Sequence, residues 1–162
     1  MNIFEQVFKA LNKHRVDYMV VGGVAVNLHG FLRFTGDLDL LLLLDEKNLE
    51  KMSAVMKELK YSERLPVSIM SLKDHAQVKK WLKEKNMKAF TFNPPYENPL
   101  QIDIVIEESL KFEKMKMGKI TKKVEGVSIP LVSIDQLIRM KRKANRAQDL
   151  IDIKSLIKLK TS

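Results

Sequence analysis

Apolar positions near the start of the chain fall on a helical period: Ile3, Val7, Phe8 and Leu11 share one face of a helix over 3–14. The pattern then changes. Residues 17–21, DYMVV, make a short apolar run with β-branched and aromatic side chains, which predicts a strand. That run stops at Gly22-Gly23, and VAVNLHG suits a short helix ending at Gly30. A second strand is predicted from Asp37 to about Leu44. Asp45 is placed to cap a helix over 46–60, where Leu49, Met52, Val55, Met56 and Leu59 line one side.

The middle of the chain predicts a helix over 74–86, a strand from Lys88 to Phe92, and a turn at NPPYENP, whose prolines cannot donate ladder hydrogen bonds. LQIDIVI, residues 100–106, reads as a strand. A hairpin is expected from Lys119–Val124 and Val127–Val132 around Glu125-Gly126. Two helices close the chain, the first opened by Ser133 with Gln136 three residues on. One reading of the last helix is an ordinary charged face with Leu150, Ile153 and Leu156 inward. The order α-β-α-β-α, then strands, then helices, predicts an α/β (α+β) fold with a mixed sheet flanked by helices.

At 162 residues the chain is expected to form one domain over 1–162, with a core over about 1–110 and a basic hairpin and helices over about 111–162. With no cysteine, disulfides and thiolate metal sites are excluded, and a reducing cytoplasm is the expected compartment. The first residues are amphipathic with an early acid, unlike a signal peptide. The apolar run at 38–44 is far short of the roughly 18 residues a membrane helix needs. The net charge of +9 is uneven. Residues 1–110 hold 15 Lys/Arg and 15 Asp/Glu, whereas 111–162 hold 14 against 5. Two readings stand side by side: a solvated lysine-rich surface, or a seat for a polyanion such as a nucleoside triphosphate or RNA.

The chemistry concentrates where a carboxylate pair meets a leucine run. In FTGDLDLLLLLDE, Asp37 and Asp39 precede Leu40–Leu44. On a strand, residues i and i+2 point to the same face, whereas on a helix they diverge by about 200°. Two parallel carboxylates repel unless a cation sits between them, and Mg²⁺ suits one or two carboxylates plus phosphate oxygens. Asp103 interrupts the otherwise apolar LQIDIVI. If the two strands are neighbours, three carboxylates converge as two-metal phosphoryl transfer requires. Gly22-Gly23, at a strand end opening a helix, offers backbone N–H groups to an anion with no Cβ in the way. Neither a Walker loop nor a GxGxxG motif is present. His14, His29 and His75 have no metal-ligand spacing.

The stretch VGGVAVNLHGFLRFTGDLDLLL resembles the signature of the DNA polymerase β-like nucleotidyltransferase superfamily, a Gly-Gly element followed by Asp-hydrophobic-Asp. Asp103 matches the superfamily's third carboxylate. Arg33 and Thr35 before the acidic pair, and SIDQLIRMKRKANRAQDLIDI near the end, are similar to a bacterial subgroup that includes AbiEii-type toxins. The resemblance implies that Lys141, Arg146 and Asp149 lie near the nucleotide. It implies Mg²⁺-dependent transfer (Mn²⁺ being the alternative ion) of a nucleoside monophosphate from an NTP to a hydroxyl, with release of pyrophosphate. In that scheme Asp37 and Asp39 hold both ions, and Asp103 holds the one that activates the acceptor and also takes its proton. Gly22 and Gly23 cradle the β/γ-phosphates, and Arg33 with Lys141 or Arg146 neutralises charge on the leaving pyrophosphate. The acceptor is RNA or a tRNA end, a protein or a small molecule. The other readings are a catalytically silent nucleotide- or RNA-binding module, and a toxin–antitoxin component that needs a cognate antitoxin or other partner protein.

Overall fold

The computed structural model describes residues 2–162. The chain runs α1 (Ile3–Lys13), β1 (Tyr18–Val21), α2 (Gly22–His29), β2 (Asp37–Leu42), α3 (Glu46–Glu58) and β3 (Ser62–Glu63). After a 3₁₀ turn at Ile69–Lys73 come α4 (His75–Lys85), β4 (Ala89–Asn93), β5 (Gln101–Val105), α5 (Ile106–Ser109) and α6 (Phe112–Met115). The hairpin β6 (Ile120–Val124) and β7 (Val127–Leu131) leads into α7 (Ile134–Ala144) and α8 (Ala147–Thr161). Every element expected from the apolar pattern is present within a few residues of its expected ends. The two-residue β3, the 3₁₀ turn and the one-turn helices α5 and α6 are too short to carry a readable period.

The strands form one seven-stranded mixed sheet in the order β3-β4-β5-β2-β1-β7-β6, so β2 is central. It pairs antiparallel with β1 and parallel with β5. Four of its leucines, Leu38, Leu40, Leu41 and Leu42, are fully buried, which explains a leucine-rich run in a strand. Burying a leucine side chain stabilises by roughly 1.5–3 kcal/mol, and a strand covered on both faces needs no polar alternation. The run therefore anchors the start of β2 rigidly. The C-terminal hairpin belongs to the same sheet: β7 lies parallel to β1, and Leu131, Leu137 and Leu156 join the common core.

Local signals set the helix ends. The side chains of Asp45 and Ser133 accept hydrogen bonds from the backbone N–H groups of Asn48 and Gln136, capping α3 and α7 as their sequence context implies. NPPYENP forms a pinned loop: Asn98 donates to the Tyr61 hydroxyl, which donates to the Leu100 carbonyl. Among the described residues, no helix is long and apolar enough to cross a membrane. One inward position differs from expectation. Leu150 is 52% exposed, and the inner face of α8 instead carries Asp149, Asp152, Ile153 and Leu156.

Candidate active site

Strand pairing brings the three aspartates together. Asp37 and Asp39 lie on one face of β2, and in the parallel pairing with β5 the register partner of Asp39 is Asp103. Neighbouring strands are about 4.8 Å apart, so the two carboxylates begin from adjacent backbones. Their charges are felt. Burial, then Asp103, then Asp37, push the Asp39 carboxyl up to about 7 against the opposing pull of Lys141 and Arg146. Burial and Asp103 also raise Asp37, opposed by Arg64. Asp103 accepts hydrogen bonds from Thr91 Oγ1 (2.7 Å) and from Gln101 Nε2, at 3.2 and 3.1 Å to its two oxygens.

This donor set fits a hard divalent cation by chemistry and register: all ligand atoms are carboxylate oxygens, and their mutual repulsion is only partly offset by nearby cations. The side chains are not closed round a point. Among the described residues no group of three or more His, Asp or Glu side chains is disposed to hold an ion.

The glycine pair meets the carboxylates from the other side. Because β1 runs antiparallel to β2, its last residue, Val21, pairs with Asp39, and α2 starts beside that carboxylate. Gly22 has φ +66°, and a Cβ there would lie 2.1 Å from Asp39 Oδ2. Only glycine satisfies both the backbone and the approach. A Cβ on Gly23 would meet Thr35 Oγ1 at 2.7 Å and Arg33 Nη2 at 3.0 Å, so the loop before β2 folds over the start of α2. Asn27 holds that loop, accepting from the Arg33 backbone N–H at 3.0 Å, and Thr35 Oγ1 donates to the Asp37 carbonyl at 3.3 Å. No side chain caps α2 and its first turn has no acid, leaving N–H groups that favour an anion.

The remaining expected residues form a buried chain of alternating charge. Asp152, fully buried, accepts a two-pronged contact from Arg33 (Nε and Nη2, both 2.9 Å), a second from Lys141 Nζ (2.9 Å) and a third from Gln148 (2.9 Å). Lys141 also reaches Asp149 Oδ1 at 3.4 Å. Asp149 in turn receives Arg146 Nε at 2.8 Å and the Arg146 backbone N–H at 3.0 Å. Burial raises the carboxyls of Asp149 and Asp152, but the hydrogen bonds and positive charges around them outweigh it and hold both below the usual carboxylate range. Three cations against two anions leave a net positive charge facing Asp39. Arg33 ties the loop to α8, with its third nitrogen on the Phe34 carbonyl. The Arg146 side chain is 76% exposed and open to a ligand.

Gly22, Gly23, Arg33, Thr35, Asp37, Asp39, Asp103, Lys141, Arg146 and Asp149 thus gather at one end of the central strands. Three residues were missed by the sequence reading. Asp152 lies three positions after Asp149 on the helical period that carries Ile153 and Leu156, which is a readable signal. Gln101 precedes Asp103 by two on one strand face, a weaker one. Arg64 directly follows β3, whose pairing no local pattern announces. A concavity of about 220 Å³ between α1, α2 and the β6–β7 hairpin lies away from the carboxylates.

Residues 8–162 match the family described as nucleotidyl transferase AbiEii toxin, type IV TA system. No curated protein sequence matches the chain. Among solved structures, the lincosamide antibiotic adenylyltransferase LnuA, lincomycin-bound, aligns with a TM-score of 0.62 at 14% identity, over 96% of this chain and 95% of that one. ANT(2")-Ia in complex with adenylyl-2"-tobramycin gives 0.58 at 11% identity, over 95% and 85%. An antigenic nucleotidyltransferase-like protein from Paracoccidioides brasiliensis gives 0.58 at 16%, over 98% and 78%. At these identities the likeness is one of fold.

Proposed function

The chain belongs to the AbiEii nucleotidyl transferase toxin family, and we propose that it transfers a nucleoside monophosphate from an NTP to a hydroxyl acceptor. The observation that carries this reading is the register of Asp39 with Asp103, with Asp37 two residues away and Gly22 packed on the Asp39 carboxylate. In this scheme the acceptor oxygen attacks the α-phosphorus, the bond to the β-phosphate breaks, and pyrophosphate leaves.

The roles follow from position. Gly22, Gly23 and the uncapped start of α2 bind the β/γ-phosphates, which the absence of Cβ atoms lets approach the backbone. Asp37, Asp39 and Asp103 are the residues that would hold divalent cations, and Mg²⁺ bound there would supply Lewis-acid activation of the acceptor oxygen and neutralise charge on the triphosphate. Asp103, oriented by Thr91 and Gln101, accepts the acceptor's proton. Arg146 and Lys141 offset charge on the departing pyrophosphate, and Asp149 and Asp152 hold them in place. Asp152, through Arg33, also fixes the loop that carries Thr35.

The family's description as the toxin of a type IV system adds a protein partner, an antitoxin, to this reading. A binding module without turnover is disfavoured by the three aspartates and the glycine contact all being in place.

The test is incubation of the protein with each of the four labelled NTPs, Mg²⁺ and either total RNA or cell lysate. One NTP should label an acceptor, and Asp37→Asn or Asp39→Asn should abolish the label. Binding of an NTP with no labelling by wild type under any of these conditions would replace transfer with the binding-module reading.

A further inference from the structure

The cations expected to serve the triphosphate are paired with buried carboxylates, whereas Arg64 is not. Among the described residues no carboxylate lies within ion-pair distance of its guanidinium. The group is nevertheless held in place: Nε donates to Asn93 Oδ1 at 2.9 Å and Nη2 to Gln101 Oε1 at 2.5 Å. Its backbone N–H donates to the Thr91 carbonyl at 3.0 Å, which extends the β3–β4 pairing. Both side-chain partners are neutral amides. They orient the charge without cancelling it, and the exposed guanidinium keeps Nη1 for a ligand.

Its place relative to the carboxylates matters. Across the sheet the row reads Arg64, Thr91, Asp103, Asp39, Val21, with Gly22 following Val21. Arg64 and the glycine pair are therefore on opposite sides of the aspartates. Gln101 joins the two: its Oε1 accepts from Arg64 while its Nε2 donates to Asp103, so the same amide fixes both groups.

We propose that Arg64 is an anion-binding residue for the acceptor, and that the acceptor carries a phosphate or phosphodiester next to its reactive hydroxyl. This rests on the nucleotidyl-transfer reading, in which the triphosphate occupies the Gly22–Gly23 side and leaves the Asp103 side to the acceptor. A preorganised guanidinium there attracts phosphate and repels a cationic amino sugar.

The test measures binding without turnover, so it reads Arg64 even in a protein that labels nothing. The probes are a short fluorescent single-stranded oligoribonucleotide, with ribose 5-phosphate and tobramycin as competitors. MgATP affinity is measured separately by calorimetry. Arg64→Gln should weaken oligoribonucleotide binding at least about fivefold and reduce its salt dependence by about one phosphate contact. MgATP affinity should stay within about twofold of wild type, and Arg64→Lys should recover part of the loss. If ribose 5-phosphate competes and loses affinity in parallel, a phosphomonoester suffices; if only the oligoribonucleotide is affected, the group recognised is a backbone phosphodiester. The proposal is overturned if Arg64→Gln weakens MgATP as much as the phosphate probes, if it alters neither, if wild type binds neither, or if tobramycin competes better than ribose 5-phosphate.

Discussion

Asp39 and Asp103 face each other in register across adjacent parallel strands, and the charge of one raises the pKa of the other. Such a pair is costly in a free protein. Replacing Asp39 with Asn removes the repulsion while keeping the shape. The raised pKa means that the folded state binds the Asp39 proton more tightly than the unfolded state does. The stability contribution is therefore greatest below the ordinary carboxylate range and is lost as pH rises to about 7. Asp39→Asn should accordingly raise the melting temperature of the ligand-free protein at pH 8, with a gain that shrinks toward pH 4. Transfer activity should fall by about three orders of magnitude or more. Thermal melts across pH, set beside the labelling assay, check both halves.

Gly22→Ala probes the contact itself. The new methyl group would sit 2.1 Å from Asp39 Oδ2 at a positive φ, so the carboxylate or the turn must move. The backbone cost is about 1–2 kcal/mol, too little to unfold a domain, but a displaced ligand costs catalysis heavily. Activity should drop by about a hundredfold or more with the circular dichroism spectrum unchanged. An Ala variant with near-normal activity would remove Gly22 from the site.

Lys141 bridges two buried aspartates, and Lys141→Met leaves them short of positive charge. Breaking a buried pair from one side costs about 3–5 kcal/mol, and Arg33 and Arg146 remain to limit the loss. A destabilisation of about 3 kcal/mol is expected in urea unfolding. Adding Asp152→Asn to the variant should restore part of it, because the unpaired charge is then gone.

Acid should act through the same cluster. Asp149 and Asp152 have pKa values below their unfolded values, so they stabilise the fold above the ordinary carboxylate range and cease to do so as pH falls through the lowered values. The ligand-free protein should lose stability progressively below about pH 4. In Asp152→Asn that acid limb should flatten, at the expense of lower stability at neutral pH, as pH-dependent denaturation would show.

Much of this arrangement is readable from residue order because it is local. The i, i+2 spacing of Asp37 and Asp39 places both on one strand face, and Asp103 inside LQIDIVI is conspicuous because an apolar strand excludes a lone carboxylate without reason. Capping by Asp45 and Ser133 is equally local. Leu150 was misplaced because the inner face of α8 is set by what it packs against, and Arg33 and Lys141 draw Asp149 and Asp152 inward in place of leucine. Arg33 itself reads in sequence as a loop cation beside the acidic pair. In the fold its guanidinium is spent on Asp152, 119 residues away.

The sequence by itself determined the longer strands and helices, the paired carboxylates and the glycine turn, because periodicity, capping and backbone freedom act between near neighbours. The tertiary structure alone decided that β5 lies parallel beside β2 with Asp103 opposite Asp39, that Gly22 closes on Asp39, and that Arg64 stands charged on the far side of the row. Those relations depend on strand order and register. Long-range packing selects them, since hydrogen-bonding groups of the backbone are alike in every strand and carry no address of their own.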